Sequence, residues 1–267
     1  HRVDRRQRQM CIRDRFAAAG CRVVFIDRDR EAALRTQEEL QAENRNVQAF
    51  VGDIGNEADV KEFADYVIEK CGKVNALINN ACISAGGLLS GCTGEAFTYV
   101  LRVGVTAPYL LTLYLKEHFA PHASIVNISS TRAFMSQKDT ESYTAAKGGI
   151  TALTHALAVS LSGKVRVNAI APGWIDTWES HDLPEPEYAW QDMAQHPSGR
   201  VGTPADIARA VLFLCDDKND FINGETIRID GGMSRLMVYH DDCGWKYEGG
   251  LGSVSYTHLT LPTIYSV

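Results

Sequence analysis

Short apolar segments that alternate with helix-patterned stretches constrain this chain more than any other feature. Strands of that kind, apolar on both faces and separated by helices, assemble as parallel βα units around one sheet. Segment CRVVFI leads into a polar helix predicted over 29–44, VQAFV into a helix over 57–70, and VNALI into a loop and a long helix near 95–118. SIVNI then leads into a helix that carries Tyr143, VRVNAI into an irregular stretch before a helix near 204–215, and ETIRID closes the pattern at Gly231 and Gly232. No internal repeat, low-complexity segment or second domain breaks the alternation. The expectation is a single α/β domain with a doubly wound parallel sheet.

Both ends stand outside this pattern. Residues 1–15, HRVDRRQRQMCIRDR, can be encoded as the reverse complement of residues 253–267, SVSYTHLTLPTIYSV. Met10 ATG opposes His258 CAT, Cys11 TGT opposes Thr257 ACA, and the pairing first fails at Phe16 against Gly252. One oligonucleotide read on both strands explains the two peptides, which read as translated adapter DNA. They are therefore taken as non-native tails flanking a domain at 16–252. The whole chain has a formal charge of −6; its first fifteen residues hold six Arg and two Asp and its last fifteen no charged side chain, which leaves the stretch between at −10. So acidic a surface offers no footprint for a phosphate backbone, which excludes nucleic acid as an expected partner. Outside the tails, Cys21, Cys71, Cys82, Cys92, Cys215 and Cys243 show no metal-like spacing, and neither HExxH nor CxxC occurs. No metal is implied, and the thiols fit a reducing compartment. No secretory signal and no apolar span of membrane length stands out, so a cytoplasmic protein with no membrane partner is expected.

Chemistry concentrates in Ser130, Tyr143 and Lys147. Tyr143 and Lys147 lie four apart in TESYTAAKGGI, so one face of a helix carries both. Alone, such a pair also fits a merely solvated helix face. An adjacent ammonium favours phenolate over phenol, and predicts a pKa drawn down from about 10 toward working pH, where Tyr143 can act as general acid and base. Ser130 ends the apolar run SIVNIS, and ligands of open α/β sheets bind at strand ends.

The neighbours of that trio point one way. Asn79, Asn80 and Ala81 follow KVNALI; Pro172, Gly173 and then Thr177 follow VRVNAIA; GRVGTPADIARAVLFL and FINGETIRIDGG close the segment. Together with the thirteen-residue offset from Ser130 to Tyr143, these motifs resemble the short-chain dehydrogenase/reductase family from about Phe16 to Gly232. The resemblance implies a Rossmann-like fold, often tetrameric, that transfers hydride between a nicotinamide cofactor and a secondary alcohol or carbonyl compound. Tyr143 is then the acid/base, Ser130 steadies the substrate oxygen, and Lys147 holds ribose hydroxyls. A non-catalytic, dinucleotide-sensing protein of the same fold is the alternative, and a structural protein with a degenerate site a third.

Measured against the family, the chain enters the fold late. FAAAG reads as the last turn of a helix stopped by Gly20, and the strand that follows is second in the family's sheet. The first strand, central between the second and the fourth, and its glycine-rich turn are missing. The expectation is a 5′-truncated fragment that binds dinucleotide poorly, with RRQRQMCIRDR extending the helix that ends at Gly20 rather than replacing the strand.

Other cofactor positions are present. Asp27 closes its strand where a carboxylate accepts hydrogen bonds from ribose hydroxyls and repels a 2′-phosphate, which favours NAD. Arg28 follows directly and can pair with such a phosphate, so NADP stays open; Asp27 also suits the N-cap of the next helix. The resemblance assigns Asp53 and Ile54 to adenine, Asn80 and Ala81 to the adenosine ribose, and Thr177 with Ile175 to the carboxamide after Pro172 and Gly173. Two departures stand out. Cys82 occupies a family glycine position, and Gly104 a position where the family has an Asn that kinks the long helix and anchors a proton-relay water. Residues 178–200, rich in aromatics, fall in the family's variable substrate lid.

Overall fold

The computed structural model describes residues 12–177 and 187–239. The chain runs α1 (Ile12–Ala18), β1 (Val23–Asp27), α2 (Arg30–Ala42), β2 (Val47–Val51), α3 (Glu57–Cys71) and β3 (Val74–Asn79). It continues through α4 (Gly94–Leu101), α5 (Ala107–Leu115), β4 (Phe119–Ile128), α6 (Glu141–Ser160), β5 (Val165–Pro172), α7 (Trp190–Ala194), α8 (Pro204–Cys215) and β6 (Thr226–Ile229). Every strand pairing is parallel, as the alternation predicts. The ladder comes in two pieces: β1 beside β2, and β3-β4-β5-β6. Among the described residues no strand pairs between β1 and β3.

Successive strand residues point to opposite faces, and both faces are covered. Leu77, Ile125 and Val167 pack toward α3, α5 and α6, where Val60, Phe63, Leu111 and Leu157 meet them. Their chain neighbours Ile78 and Val126, with Ile170, point the other way, toward Ile207, Val211 and Leu214 of α8. The apolar runs therefore lack polar alternation because they have no wet face. Contacts divide the chain into a first unit ending at Ser234 and a second starting at Arg235, of which only residues up to 239 are described.

Helix ends follow local chemistry. Gly20 takes φ +84° after α1, and the bonds Gly20 N to Ala17 O and Cys21 N to Phe16 O close the helix as a Schellman turn. Ile12 to Arg15 do extend this helix, and Ile12 packs on the α8 side of the sheet. The cap of α2 is not Asp27 but Asp29, whose carboxylate accepts from Ala32 N. Asp27 instead accepts from Asp29 N at 2.9 Å, which holds the strand end against the cap.

The long helix near 95–118 is interrupted. α4 and α5 are joined by a π turn, Arg102–Thr106, and the run stops at Leu115. Pro108 has no N–H to give the carbonyl of Gly104, four residues back, which removes one α-helical bond at this point. A Cβ on Gly104 would stand 2.9 Å from Cβ of Ala146 in α6, and one on Gly149 2.9 Å from Val105. Small residues on both helices thus let the backbones approach. By length and composition the run Gly94–Leu115 would suffice to cross a membrane, contrary to the expectation that no such span is present. Here that apolarity serves the core: Leu110, Leu111 and Leu115 are buried among α3 and the strands.

Candidate active site

Most of the residues singled out from the sequence gather at the carboxyl ends of the strands. Asp27 ends β1, Asp53 and Ile54 follow β2, Asn80 and Ala81 follow β3, Ser130 follows β4, and Pro172 ends β5. This edge is where open parallel sheets receive ligands.

Ser130 leaves β4 in extended backbone and caps a short 3₁₀ turn, Thr131–Ala133, its Oγ accepting from Arg132 N at 3.2 Å. Tyr143 and Lys147 share a face of α6, with Lys147 Nζ 5.4 Å from the centre of the Tyr143 ring. Lys147 is buried, its Nζ donating to Ile128 O at 2.6 Å, while Ser129 Oγ donates to Lys147 O at 3.1 Å. These two bonds fasten the end of β4 to α6. A further buried chain, Asn79 Nδ2 to Asn127 Oδ1 at 2.8 Å and Asn127 Nδ2 to Thr154 Oγ1 at 2.9 Å, ties β3, β4 and α6 together. Asn79 is thus a structural member of its motif.

The electrostatics correct one expectation. The Tyr143 phenol lies above its ordinary pKa, not below it: burial is the main cause and the Cys82 sulfur adds to it, while the Ser130 hydroxyl and the Arg132 guanidinium pull the other way. Lys147 does not win because its ammonium faces the ring and is itself desolvated, which lowers its own pKa. The thiol of Cys82 stands beside that ammonium.

A cleft of about 190 Å³ is lined by Asp27, Arg28, Asp53, Ile54 and Ala81, together with Cys82, Tyr99 and Val103; none of the trio lines it, and Cys82 is the residue that adjoins both the cleft and Tyr143 and Lys147. Five of the residues assigned to the cofactor from the sequence therefore share one wall. Tyr99 and Val103 were not foreseen; they lie four apart and so share the helix face turned to this strand edge. The Tyr99 hydroxyl donates to Asp53 Oδ1 at 2.9 Å and Oδ2 at 2.8 Å, and Asp53 Oδ1 also accepts from Gly55 N at 2.8 Å. A Cβ on Gly55 would come within 2.5 Å of the Tyr99 ring, so only glycine admits this closure. Asn80 is exposed and does not line the cleft. Pro172, Gly173, Ile175 and Thr177 stand apart from it at the end of β5, where Gly173 N donates to Ile229 O at 3.0 Å and Ile175 bridges to Gly202. Trp178 of the expected lid lies outside the described residues; Tyr188 donates to Asp176 Oδ2 at 2.7 Å and packs edge-on against Trp174.

The loop after β3 is pinned to the start of α6. Asp139 Oδ1 accepts from Leu89 N at 2.8 Å and Ser90 N at 3.1 Å, Glu141 Oε2 from Leu88 N at 3.3 Å, and Ser142 Oγ donates to Gly86 O at 2.7 Å. Against its own desolvation, the Ser90 hydroxyl first, and then the backbone N–H groups of Ser90, Leu89 and Gly87, hold the Asp139 carboxyl below its usual range. The anchor sits one residue from Tyr143, so the loop and the phenol are positioned together.

Comparison with known proteins identifies the family and the fold. Residues 11–234 match the family described as Enoyl-(Acyl carrier protein) reductase. An uncharacterized oxidoreductase of Thermotoga maritima is 41% identical over 233 residues, covering 85% of this chain and 91% of its own length. The chain belongs to the short-chain dehydrogenase/reductase family. Among solved members, an apo SCOR enzyme from Clostridium thermocellum is 43% identical with a TM-score of 0.78, covering 90% of this chain and 93% of its own. A blue fluorescent protein from a metagenomic library, solved in complex with NADPH, is 26% identical with a TM-score of 0.74, covering 82% of this chain and 90% of its own. As a family member the chain is an oxidoreductase with the Rossmann-like α/β fold.

Proposed function

We propose that this oxidoreductase interconverts a secondary alcohol and its ketone with a nicotinamide cofactor, Tyr143 moving the proton. The observation that carries the reading is that Ser130 and Lys147 both stand against Tyr143, and that Cys82, which adjoins Tyr143 and Lys147, lines a cleft together with Asp27 and Asp53. The cleft suits an adenosine: a carboxylate at the end of β1 for ribose hydroxyls, and Asp53 and Ile54 for the base. Lys147 would hold the second ribose, and Ile175 with Thr177 the carboxamide. The bound nicotinamide supplies the acceptor or donor of hydride.

The protein's own part is proton movement and orientation. In oxidation the Tyr143 phenolate takes the proton of the substrate hydroxyl, and Ser130 Oγ donates to the oxygen as it becomes a carbonyl. Lys147 gives one hydrogen bond to Ile128 O and meets the Cys82 thiol with a second, which leaves one proton for another partner. In reduction the phenol returns the proton.

Because phenolate is the reactive base, kcat/KM for oxidation rises with pH through the Tyr143 pKa, and burial places that rise on the alkaline side. Cys82→Gly removes a group that holds the phenol up, so the rise moves to lower pH; Arg132→Met removes one that pulls it down, so the rise moves to higher pH. Profiles followed by absorbance of reduced nicotinamide check this, and identical profiles in all three proteins would refute the assignment of the base. For cofactor choice, Asp27→Ala raises the NADP-to-NAD ratio of kcat/KM by about tenfold, the effect of about 1.4 kcal/mol. An unchanged ratio would remove Asp27 from the ribose site.

A further inference from the structure

Arg132 stands beside the reacting phenol. Its guanidinium lies 5.8 Å from the centre of the Tyr143 ring, and its backbone N–H is fixed by Ser130 Oγ. It is only partly exposed, in a chain with an excess of carboxylates. Among the described residues no carboxylate stands within ion-pair distance of it; most other arginines lack one too, and what sets Arg132 apart is that its unneutralised charge lies against Tyr143. The acids nearest in sequence, Asp139 and Glu141, have turned to backbone N–H groups of the loop after β3. The side-chain partner Arg132 does have is the neutral amide oxygen of Gln137, which orients the guanidinium without neutralising it. Phe134 and Met135, two and three residues on in the chain, are exposed, 49% and 46%, and a second guanidinium, that of Arg228, lies 4.6 Å from the centre of the Phe134 ring.

We propose that Arg132 receives the carboxylate of the substrate, so that the alcohol oxidised at Tyr143 is a hydroxy acid whose carboxylate lies a few bonds from the carbinol carbon. This rests on the oxidoreductase reading above and adds the substrate class to it. A planar guanidinium fork accepts a carboxylate in two parallel hydrogen bonds, which would fix the carbinol relative to the phenol as well as supply affinity. The carboxylate does not react. Only the carbinol C–H and O–H bonds break, the hydride passing to oxidised nicotinamide and the proton to Tyr143, and the reverse direction forms both.

The test compares 3-hydroxybutyrate with butan-2-ol, which share the carbinol and differ in the charged end. With NAD in excess, the wild-type ratio of kcat/KM for the acid over the alcohol is expected to be at least about tenfold. Arg132→Met collapses that ratio toward one, mostly through KM of the acid, and Arg132→Lys restores part of it. Taking the ratio removes any change in the phenol itself, since that acts on both substrates. A second readout needs no turnover: 3-hydroxybutyrate raises the melting temperature of the wild type and of Tyr143→Phe, butan-2-ol does not, and Arg132→Met loses the shift. A wild-type ratio near one, a ratio unchanged in Arg132→Met, or a shift that survives Arg132→Met each overturns the proposal. Failure of the oxidoreductase reading looks different: Tyr143→Phe then turns over both substrates at the wild-type rate.

Discussion

Tyr143→Phe should lower kcat by about 10²- to 10⁴-fold, the range that a positioned general acid/base contributes. The substitution deletes one oxygen and keeps the ring that faces Lys147 and Arg132, so folding should be nearly untouched. A melting temperature within a degree or so of wild type would separate chemical loss from unfolding. The cost should fall on oxidation and reduction alike, because the same oxygen takes the proton in one direction and returns it in the other. Retention of wild-type turnover would remove Tyr143 from the mechanism, whatever its neighbours do.

Gly104→Asn should destabilise the protein, although asparagine is the residue that the family resemblance leads one to expect there. A Cβ at this position would stand 2.9 Å from Cβ of Ala146, in the turn of α6 just before Lys147. Neither helix can yield without moving: α5 is buried along Ala107, Leu110 and Leu111, and α6 along Ala146 and Ile150. Overpacking of this kind costs roughly 1–3 kcal/mol, a fall in melting temperature of about 3–10 °C for a domain of this size. Gly104→Ala should already show part of the loss. Thermal unfolding of both variants decides the matter, and an unchanged or higher melting temperature for Gly104→Asn would mean that the π turn relaxes to accept a side chain.

The succession of strands and helices, and the shared helix face of Tyr143 and Lys147, were legible because they depend on local pattern. Apolar runs such as SIVNI mark buried strands, and the four-residue step from Tyr143 to Lys147 fixes a shared helix face. The direction of the Tyr143 shift was not legible, since sequence spacing brings the ammonium near but says nothing of how much water burial removes; desolvation then outweighs the charge. Tyr99 was invisible for a related reason. It reaches Asp53 from a distant helix, and no spacing in the sequence announces that hydrogen bond. The sequence offered Asp27 as a possible cap of α2, whereas the cap is Asp29, two residues on, because an acid's place relative to the first turn is not fixed before the backbone angles are known. The break in the long helix came from the pair Gly104 and Pro108, of which only the glycine had been noticed.

The gap in the ladder has a mechanical consequence. Asp27 and Arg28 ride on one sheet fragment, whereas Ala81 and the reacting residues ride on the other, so the cleft spans a seam. Among the described residues no backbone hydrogen bonds cross between β1 and β3; contacts such as those of Val24 and Ile26 with the α3 side of the core hold the fragments in place. Packing without a ladder tolerates small sliding motions that a paired strand would forbid. A molecule bound at once to Asp27 and Ala81 would therefore act as a strut, damping the breathing of the two halves and slowing solvent exchange of the amides that face each other across the seam.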